Sequence, residues 1–192
     1  AKAAGAEVFT YECLNYGDQR PLTTKYAEAL DRMLDAAKVK GTVAIQASSC
    51  PAAAMSGLGG RARIVWIDEE LNRLRAIKFP HEIEALRRAA RVTAAGQAAV
   101  SEAVGAGVSE LAAWSKVRLA MEAEAGARLP VAGDFVTGRQ RCALIGGPPG
   151  ARKIKRGDPV IADLAPRVDG YWGDSATTTF IWRKRFMKTS NL

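Results

Sequence analysis

Residues 157–182 read Gly-Asp-Pro-Val-Ile-Ala-Asp-Leu-Ala-Pro-Arg-Val-Asp-Gly-Tyr-Trp-Gly-Asp-Ser-Ala-Thr-Thr-Thr-Phe-Ile-Trp and carry the clearest structural signal in the chain. Two apolar, β-prone runs, 160–165 and 171–182, flank a polar turn at 167–170. An Asp-Gly pair between such runs is a strong short-range signal for a β-hairpin. The stretch therefore predicts two antiparallel strands joined by a tight turn.

Each run carries one acidic residue where an apolar or neutral one is expected, Asp163 in the first and Asp174 in the second. A hairpin tip at 168–169 places Asp163 directly opposite Asp174. A tip at 169–170 places Asp163 opposite Ala176 and diagonal to Asp174. Both registers leave the two carboxylates on one face, whereas a three-residue loop would separate them.

Two carboxylates on neighbouring strands repel each other, because directly opposed side chains have Cβ atoms about 4.5–5.5 Å apart. A divalent cation, or a pair of them, would neutralise this charge, and carboxylate oxygen is a suitable ligand for such ions. The alternative is that one or both acids simply face water on an edge hairpin. The spacing alone leaves both interpretations open.

The Asp-x10-Asp spacing after a Gly-Asp turn, with Gly-Tyr-Trp-x-Asp on the second strand, resembles the pita-bread metallopeptidases. This superfamily includes aminopeptidase P, prolidase, methionine aminopeptidase and creatinase. The resemblance spans about residues 60–180. It implies an α/β (α+β) fold and two divalent metal ions, manganese or cobalt, held in part by Asp163 and Asp174. Thr178 would support these ligands without itself binding metal.

A second segment supports the resemblance, because Arg75-Ala-Ile-Lys-Phe-Pro-His-Glu-Ile matches the family pattern Arg-x-x-Lys-x-x-x-Glu-Ile that opens the catalytic domain. It implies a partial creatinase-like N-terminal α/β domain over residues 1–75 and the first half of a pita-bread domain over residues 76–182. Residues 183–192 form a basic tail without family character.

One departure from the family concerns Gly146 and Gly147, which stand where its peptidases usually have a substrate-contacting histidine. Some creatinase-like relatives share the Gly-Gly-Pro-Pro form. The family also uses one His and two Glu ligands well after the hairpin, and residues 175–192 contain neither residue type. We therefore expect a fragment shortened at the C-terminus, and at the N-terminus too, with weak or absent metal binding and no turnover on its own.

The only histidine, His81, falls in the first turn of a predicted helix, where a solvated or capping role is expected. No catalytic residue is therefore assigned within this chain. The resemblance leaves two enzymatic alternatives, a hydrolase that cuts next to proline in small peptides and a creatinase-like amidinohydrolase of small nitrogenous substrates. A non-enzymatic binding module on the same fold is the third alternative. The resemblance also implies a homodimer.

The composition excludes several classes of protein. The 192 residues are 48% hydrophobic and 25% charged, as in ordinary globular domains, and no run is long enough for a membrane helix. Three scattered cysteines predict reduced thiols in a cytoplasmic protein. The net charge is +8, but the cations are dispersed except at 152–156 and 183–188, so nucleic-acid binding is not expected.

The remaining sequence predicts alternating strands and helices. Strands are expected at 8–14, 42–47, 63–67, 134–137 and 142–145, and helices at 24–38 and 51–58, from Asp68, from Pro80, and over 110–125 after a Ser109 cap. The expected core residues are Tyr26, Leu30, Met33, Leu34 and Ala37 in one helix, Ile83, Leu86, Ala90 and Ala94 in a second, and Leu111, Trp114, Val117 and Met121 in a third.

Overall fold

A computed structural model describes residues 7–13, 16–144 and 146–182. These residues divide into two units at the boundary between Ile77 and Lys78.

The first unit alternates helices and strands, as its sequence predicts. Its elements are α1 (Leu22–Ala36), β1 (Thr42–Ile45), a 3₁₀ turn (Ala47–Ser49), α2 (Ala52–Leu58), β2 (Arg63–Trp66) and α3 (Asp68–Ala76). Strands β1 and β2 pair in parallel, with Thr42 opposite Arg63 and Ile45 opposite Trp66. A small core forms around Leu34, Ile45 and Leu58. The partly parallel α/β layer expected for this region is therefore confirmed.

Two details of the first unit differ from the prediction. Residues 7–13 form no strand, and Leu14 lies outside the described residues. An alternating pattern becomes a strand only where a partner strand is available. Tyr11 instead packs edge-on against Tyr26 of α1, with ring centroids 5.7 Å apart. On α1, Met33 and Ala37 are exposed, whereas Lys25 is buried and donates a hydrogen bond to the Asp18 carbonyl.

The second unit packs two long helices against an antiparallel sheet. Its elements are α4 (Pro80–Ala103), α5 (Glu110–Ala125), β3 (Val131–Ala132), β4 (Phe135–Thr137), α6 (Arg139–Cys142), β5 (Pro159–Val168), β6 (Tyr171–Trp172) and β7 (Ser175–Phe180). The core joins α4, α5 and one face of β5. No helix among the described residues combines the length and apolar character that a bilayer crossing requires.

The buried face of α4 differs from the predicted one. Ile83, Ala90 and Ala94 are exposed, and the helix instead buries Ala85, Ala89, Val92, Thr93, Gly96, Val100 and Ala103. The reason is steric, since a Cβ at Gly96 would lie 2.7 Å from Met121 Cγ and 2.9 Å from Leu164 Cδ1. Close packing against α5 and β5 requires small residues on the buried face of α4. The sequence-based prediction chose the face with the larger apolar residues, and this choice was wrong.

Two further predictions in this unit have mixed outcomes. Ser109 caps α5 as expected, since its side chain accepts a hydrogen bond from the Ala112 N–H. Leu111 of the predicted stripe is exposed, and Glu110 is buried instead. The strand expected at 142–145 is wrong: Cys142 ends the short helix α6, and Ile145 lies outside the described residues.

Strand β5 is the centre of the sheet. It pairs with β3 and β4 on one side and with β6 and β7 on the other. Val168 lies opposite Tyr171, so Asp169 and Gly170 form the hairpin tip, with φ values of 49° and 88°. Positive φ at both positions is the conformation of a type I′ turn, whose twist matches that of the strands. The hairpin predicted from the sequence is confirmed in this register.

Candidate metal centre

Alternation along β5 gives the sheet two different faces. Ala162 and Leu164 are fully buried toward the helices, whereas Ile161, Asp163 and Ala165 are half-buried on the opposite side, here called the open face. Gln97 of α4 covers the helix side, because its amide donates hydrogen bonds to the carbonyls of Ala162 and Ser175. Asp163 therefore extends from the open face.

The hairpin register places Asp174 on this same face. Asp163 lies opposite Ala176 on β7, so Asp174 is its diagonal neighbour. The chain reaches this position through Gly173, which is buried so closely against α4 that an added Cβ would lie 2.6 Å from the Ala89 carbonyl oxygen. A glycine directly before Asp174 lets the second strand approach the helix and brings the acid beside Asp163.

A third acidic residue, Asp134, flanks Asp163 from the other side. Asp134 N–H donates to the Asp163 carbonyl over 2.9 Å, and Asp163 N–H donates to the Asp134 carbonyl over 2.8 Å. Residues that exchange both backbone hydrogen bonds face each other directly, with side chains on one face. Asp163 thus lies between two acids on the open face. The sequence analysis did not identify Asp134, since it follows a glycine in a loop-like segment.

The electrostatics of this cluster follow from its geometry. Burial, together with the negative charges of Asp174 and Asp134 and a hydrogen bond with Asp174, raises the pKa of the Asp163 carboxyl. None of the ion pairs in the described part of the chain involves any of the three acids. Among the described residues, three acids therefore lie together on the open face without an ion-pair partner.

The donor set suits a hard cation but is incomplete. Carboxylate oxygens are the ligands that divalent ions such as Mn²⁺ accept in proteins. Within residues 7–13, 16–144 and 146–182, however, no group of three or more His, Cys, Asp or Glu side chains is arranged to hold a metal ion. The Asp134 carboxylate is already engaged, because its Oδ1 accepts a hydrogen bond from the Gly147 N–H over 2.8 Å. The structure thus brings together the two residues predicted as metal ligands, Asp163 and Asp174.

Thr178, predicted to support the two acids, lies on the open face. It is opposite Ile161 in β5 and two positions beyond Ala176. No hydrogen bond from the Thr178 hydroxyl to either acid occurs among the described contacts. The neighbouring Thr177 instead faces α4, where its hydroxyl donates to Gln97 Oε1 over 2.7 Å.

Gly146 and Gly147 lie directly against Asp134. A Cβ at Gly146 would be 2.5 Å from Asp134 Oδ2, and Gly147 has a φ of 143°. The Gly147 carbonyl accepts a hydrogen bond from the Phe135 N–H over 3.1 Å. A carboxylate therefore fills the space that a side chain at position 146 would occupy, which gives the Gly-Gly sequence a steric reason.

A buried network fixes the rest of this loop. Glu110 accepts a hydrogen bond from the Gly150 N–H over 3.0 Å and forms an ion pair with Arg141. Arg141 in turn donates to the Pro148 carbonyl over 2.7 Å. The loop from Gly146 to Gly150 is thus held by Asp134 at one end and by Glu110 at the other.

His81 lies in the first turn of α4 and is exposed, with its ring stacked on Phe79 at 5.8 Å between centroids. The helix cap is supplied by Glu82, whose Oε2 accepts from the Phe79 N–H over 2.8 Å. His81 therefore has the solvated position expected from the sequence and does not cap the helix.

Comparison with known proteins identifies the family of this chain. Residues 84–189 match metallopeptidase family M24, and the match includes 183–189, part of the tail that was expected to lack family character. An Xaa-Pro dipeptidase of Pyrococcus furiosus is 30% identical over 115 residues, covering 60% of this chain and 33% of its own length. A methionine aminopeptidase of Helicobacter pylori (strain 26695) is 35% identical over 108 residues, covering 54% and 42%.

Among solved structures, the prolidase of Pyrococcus horikoshii superimposes with a TM-score of 0.71 at 24% identity, over 80% of this chain and 44% of that one. This likeness shows the mixed α/β pita-bread fold. The chain spans less than half the length of each of these three proteins. Because the family match covers more than half of its residues, the chain belongs to metallopeptidase family M24.

Proposed function

We propose that this chain supplies the two-aspartate part of a two-metal site in a hydrolase of small peptides, with bonds next to proline as its substrates. The observation that carries the proposal is the position of Asp163 and Asp174 on one face of the hairpin, beside a third acid. Family membership supports a peptidase, and the names of the P. furiosus and P. horikoshii relatives support proline specificity.

Asp163 and Asp174 would hold the metal ions, manganese or cobalt, and Thr178 would steady them from the same face. Bound divalent ions supply an activated water and polarise a carbonyl group. Asp134 has a different role, because its carboxylate positions the loop at Gly147. The catalytic unit would be a homodimer. The three free thiols, Cys13, Cys50 and Cys142, are consistent with a reducing, cytoplasmic setting.

The resemblance to the family implies five ligands, of which this sequence provides the two Asp residues and, after residue 174, no His or Glu. Two carboxylates bind a divalent ion weakly and provide no general base at the metal. We therefore propose that the 192-residue chain binds metal with low affinity and does not turn over substrate by itself.

A creatinase-like amidinohydrolase is the second candidate, and one observation favours it. The position of the usual substrate-contacting histidine is occupied by Gly146 against the carboxylate of Asp134. A carboxylate at this position suits a cationic nitrogenous group better than it suits the carbonyl oxygen of a peptide, because a carboxylate accepts hydrogen bonds and cannot donate them when ionised.

Calorimetric titration with Mn²⁺ and Co²⁺ tests the metal site. We expect weak binding to the unmodified chain and loss of binding in both Asp163→Asn and Asp174→Asn. Asp169→Asn is the matched control, because Asp169 is an exposed acid at the tip of the same hairpin and pairs with Arg88 at 2.8 Å. Binding that survives in both Asp163→Asn and Asp174→Asn would rule out the two-aspartate site.

A further inference from the structure

A second site lies where β4 ends and β5 begins. A cavity of about 470 Å³ is lined by residues 137–141 and by Arg152 and residues 155–158. We call it the basic cleft, since five of its lining residues are Arg or Lys. The two segments meet because the Gly138 N–H donates to the Pro159 carbonyl over 2.9 Å. The cluster at 152–156 therefore acquires two further arginines from the preceding helix α6, which its sequence spacing does not reveal.

Two of the five cations are neutralised within the protein. Arg141 pairs with the fully buried Glu110. Arg152 pairs with Asp158 over 2.8 Å and donates to Thr137 Oγ1 over 2.5 Å. These bonds fix the floor of the cleft and account for the positions of both arginines.

The other three cations are Arg139, Lys155 and Arg156, and all three side chains are exposed. Within the described part of the chain, no carboxylate forms an ion pair with any of them. Three positive charges thus line one concave surface, above the paired Arg141 and Arg152. A multiply charged anion would balance them.

We propose that the basic cleft binds a small ligand carrying two linked phosphate groups. A phosphate monoester carries about −1.5 to −2 charges at pH 7, so a diphosphate matches three free cations, whereas a single carboxylate would leave two unbalanced. Guanidinium groups suit phosphate oxygens through paired N–H donors. The volume falls within the range of small-molecule sites, about 300–1,000 Å³.

A single-stranded nucleic acid also carries phosphates but fits the cleft less well. Binding of single strands combines a basic groove with aromatic side chains on which bases stack. The lining residues of the basic cleft include no aromatic side chain. The free cations also converge on one cavity, whereas a strand backbone needs a continuous basic groove.

The basic cleft is separate from the aspartate pair. Thr137, at its floor, lies opposite Val160 on the helix-covered face, three residues before Asp163 on β5. At about 3.3 Å per residue the two positions are about 10 Å apart along the strand, and Asp163 faces the other way. The proposed hydrolase function and the basic cleft can therefore fail independently.

Calorimetric titration of the 192-residue chain with inorganic pyrophosphate, in EDTA and at low ionic strength, tests the proposal. We expect saturable binding that the double variant Arg139→Gln/Arg156→Gln weakens by about tenfold or more. The double variant Lys116→Gln/Arg128→Gln is the matched control: it removes two exposed cations from the same unit away from the cleft, and should retain affinity within about twofold. Lys155→Gln removes the third free cation alone and should also weaken binding.

Three further readouts make the result decisive. Thermal unfolding should give all the Arg and Lys variants the same midpoint, since the mutated side chains are exposed. Asp163→Asn should leave pyrophosphate binding intact. The proposal is overturned if the unmodified chain binds no pyrophosphate, if the control variant weakens binding equally, or if a single-stranded oligonucleotide binds more tightly than pyrophosphate.

Discussion

Glu110 and Asp163 are both acidic residues beside the same sheet, but their surroundings differ in charge and in hydrogen bonding. The Glu110 carboxylate is fully buried and accepts from the Thr137 N–H over 2.9 Å, the Thr137 hydroxyl over 2.8 Å and the Gly150 N–H over 3.0 Å, besides its ion pair with Arg141. The Asp163 carboxylate is half-buried, and its neighbours are Asp134 and Asp174.

The difference separates a carboxylate that the fold itself compensates from one that we propose binds a ligand. Removing a charge from water is unfavourable unless a partner or hydrogen bonds compensate for it. Glu110 has that compensation within the protein, so its charge stabilises the fold. Asp163 has negative neighbours instead, and among the described residues no ion pair balances its charge, so a bound cation would supply the compensation. The sign of the neighbouring charges, more than the depth of burial, separates the two roles.

Glu110→Ala should have the largest effect on stability. The substitution leaves Arg141 and the donors at Thr137 and Gly150 without their acceptor, and breaking a buried ion pair costs about 3–5 kcal/mol. Urea unfolding monitored by circular dichroism would measure the loss. Glu124→Ala on the exposed side of the same helix is the control and should change the free energy of unfolding by less than about 0.5 kcal/mol. An equal loss of unfolding free energy in both variants would show that Glu110 stabilises the fold no more than an exposed glutamate does.

Gly146→Ala tests the packing of Asp134, one of the two acids beside Asp163. An added Cβ would lie 2.5 Å from Asp134 Oδ2, so we expect destabilisation of about 1–3 kcal/mol, as for other overpacked sites. Gly105→Ala is the matched control, because a Cβ there meets no atom closer than 3.8 Å. Adding Asp134→Ala to Gly146→Ala should recover much of the loss, and a double-mutant cycle measures this coupling. Strictly additive effects would show that the two residues do not share the space.

The sequence predicted the local part of this arrangement and missed the long-range part. Asp163 and Asp174 belong to one hairpin, so alternation placed them on one face for either two-residue tip, and the structure supplied the loop length that the sequence left open. Asp134 joins them only because the chain at β4 pairs with β5, which brings together two residues 29 positions apart, Asp134 and Asp163, that no local pattern connects. The face of α4 was missed for a related reason. Small residues such as Gly96 lie where the helix packs closely against another element. A search for apolar side chains along one helix overlooks them.

Asp158 is a second carboxylate compensated within the protein, and its contribution to stability should depend on pH. Burial alone would raise the pKa of Asp158, but hydrogen bonds from Arg152 and from the Lys155 N–H outweigh it and lower the pKa. A lowered pKa in the folded state stabilises the protein above the unfolded value of about 3.9, and this stability is lost as the pH falls through the folded value.

Asp158→Asn should therefore lower the free energy of unfolding by about 1–2 kcal/mol at pH 7, as expected for hydrogen bonds to a charged group. The difference from the unmodified chain should shrink as the pH falls below about 3.9 and disappear once the pH is below the lowered pKa of Asp158 in the folded state. Urea titrations across this range would measure it, with Glu102→Gln, an exposed acid on α4, as the pH-independent control. A difference that stays constant down to the lowest pH would mean that the Asp158 charge contributes nothing.

Asp163→Asn should have the smallest effect, and its sign should depend on metal. In EDTA the substitution removes one of three neighbouring negative charges, so we expect the chain to become more stable by about 0.2–1 kcal/mol, the range for paired side chains on adjacent strands. With excess Mn²⁺, ligand binding to the folded state stabilises only the chain that retains both aspartates. Added metal should therefore raise the stability of the unmodified chain relative to that of Asp163→Asn. Thermal unfolding with and without Mn²⁺ would measure this change. Destabilisation by Asp163→Asn in EDTA would place Asp163 with Glu110 as a structural residue, because it would show that the surrounding protein already compensates its charge.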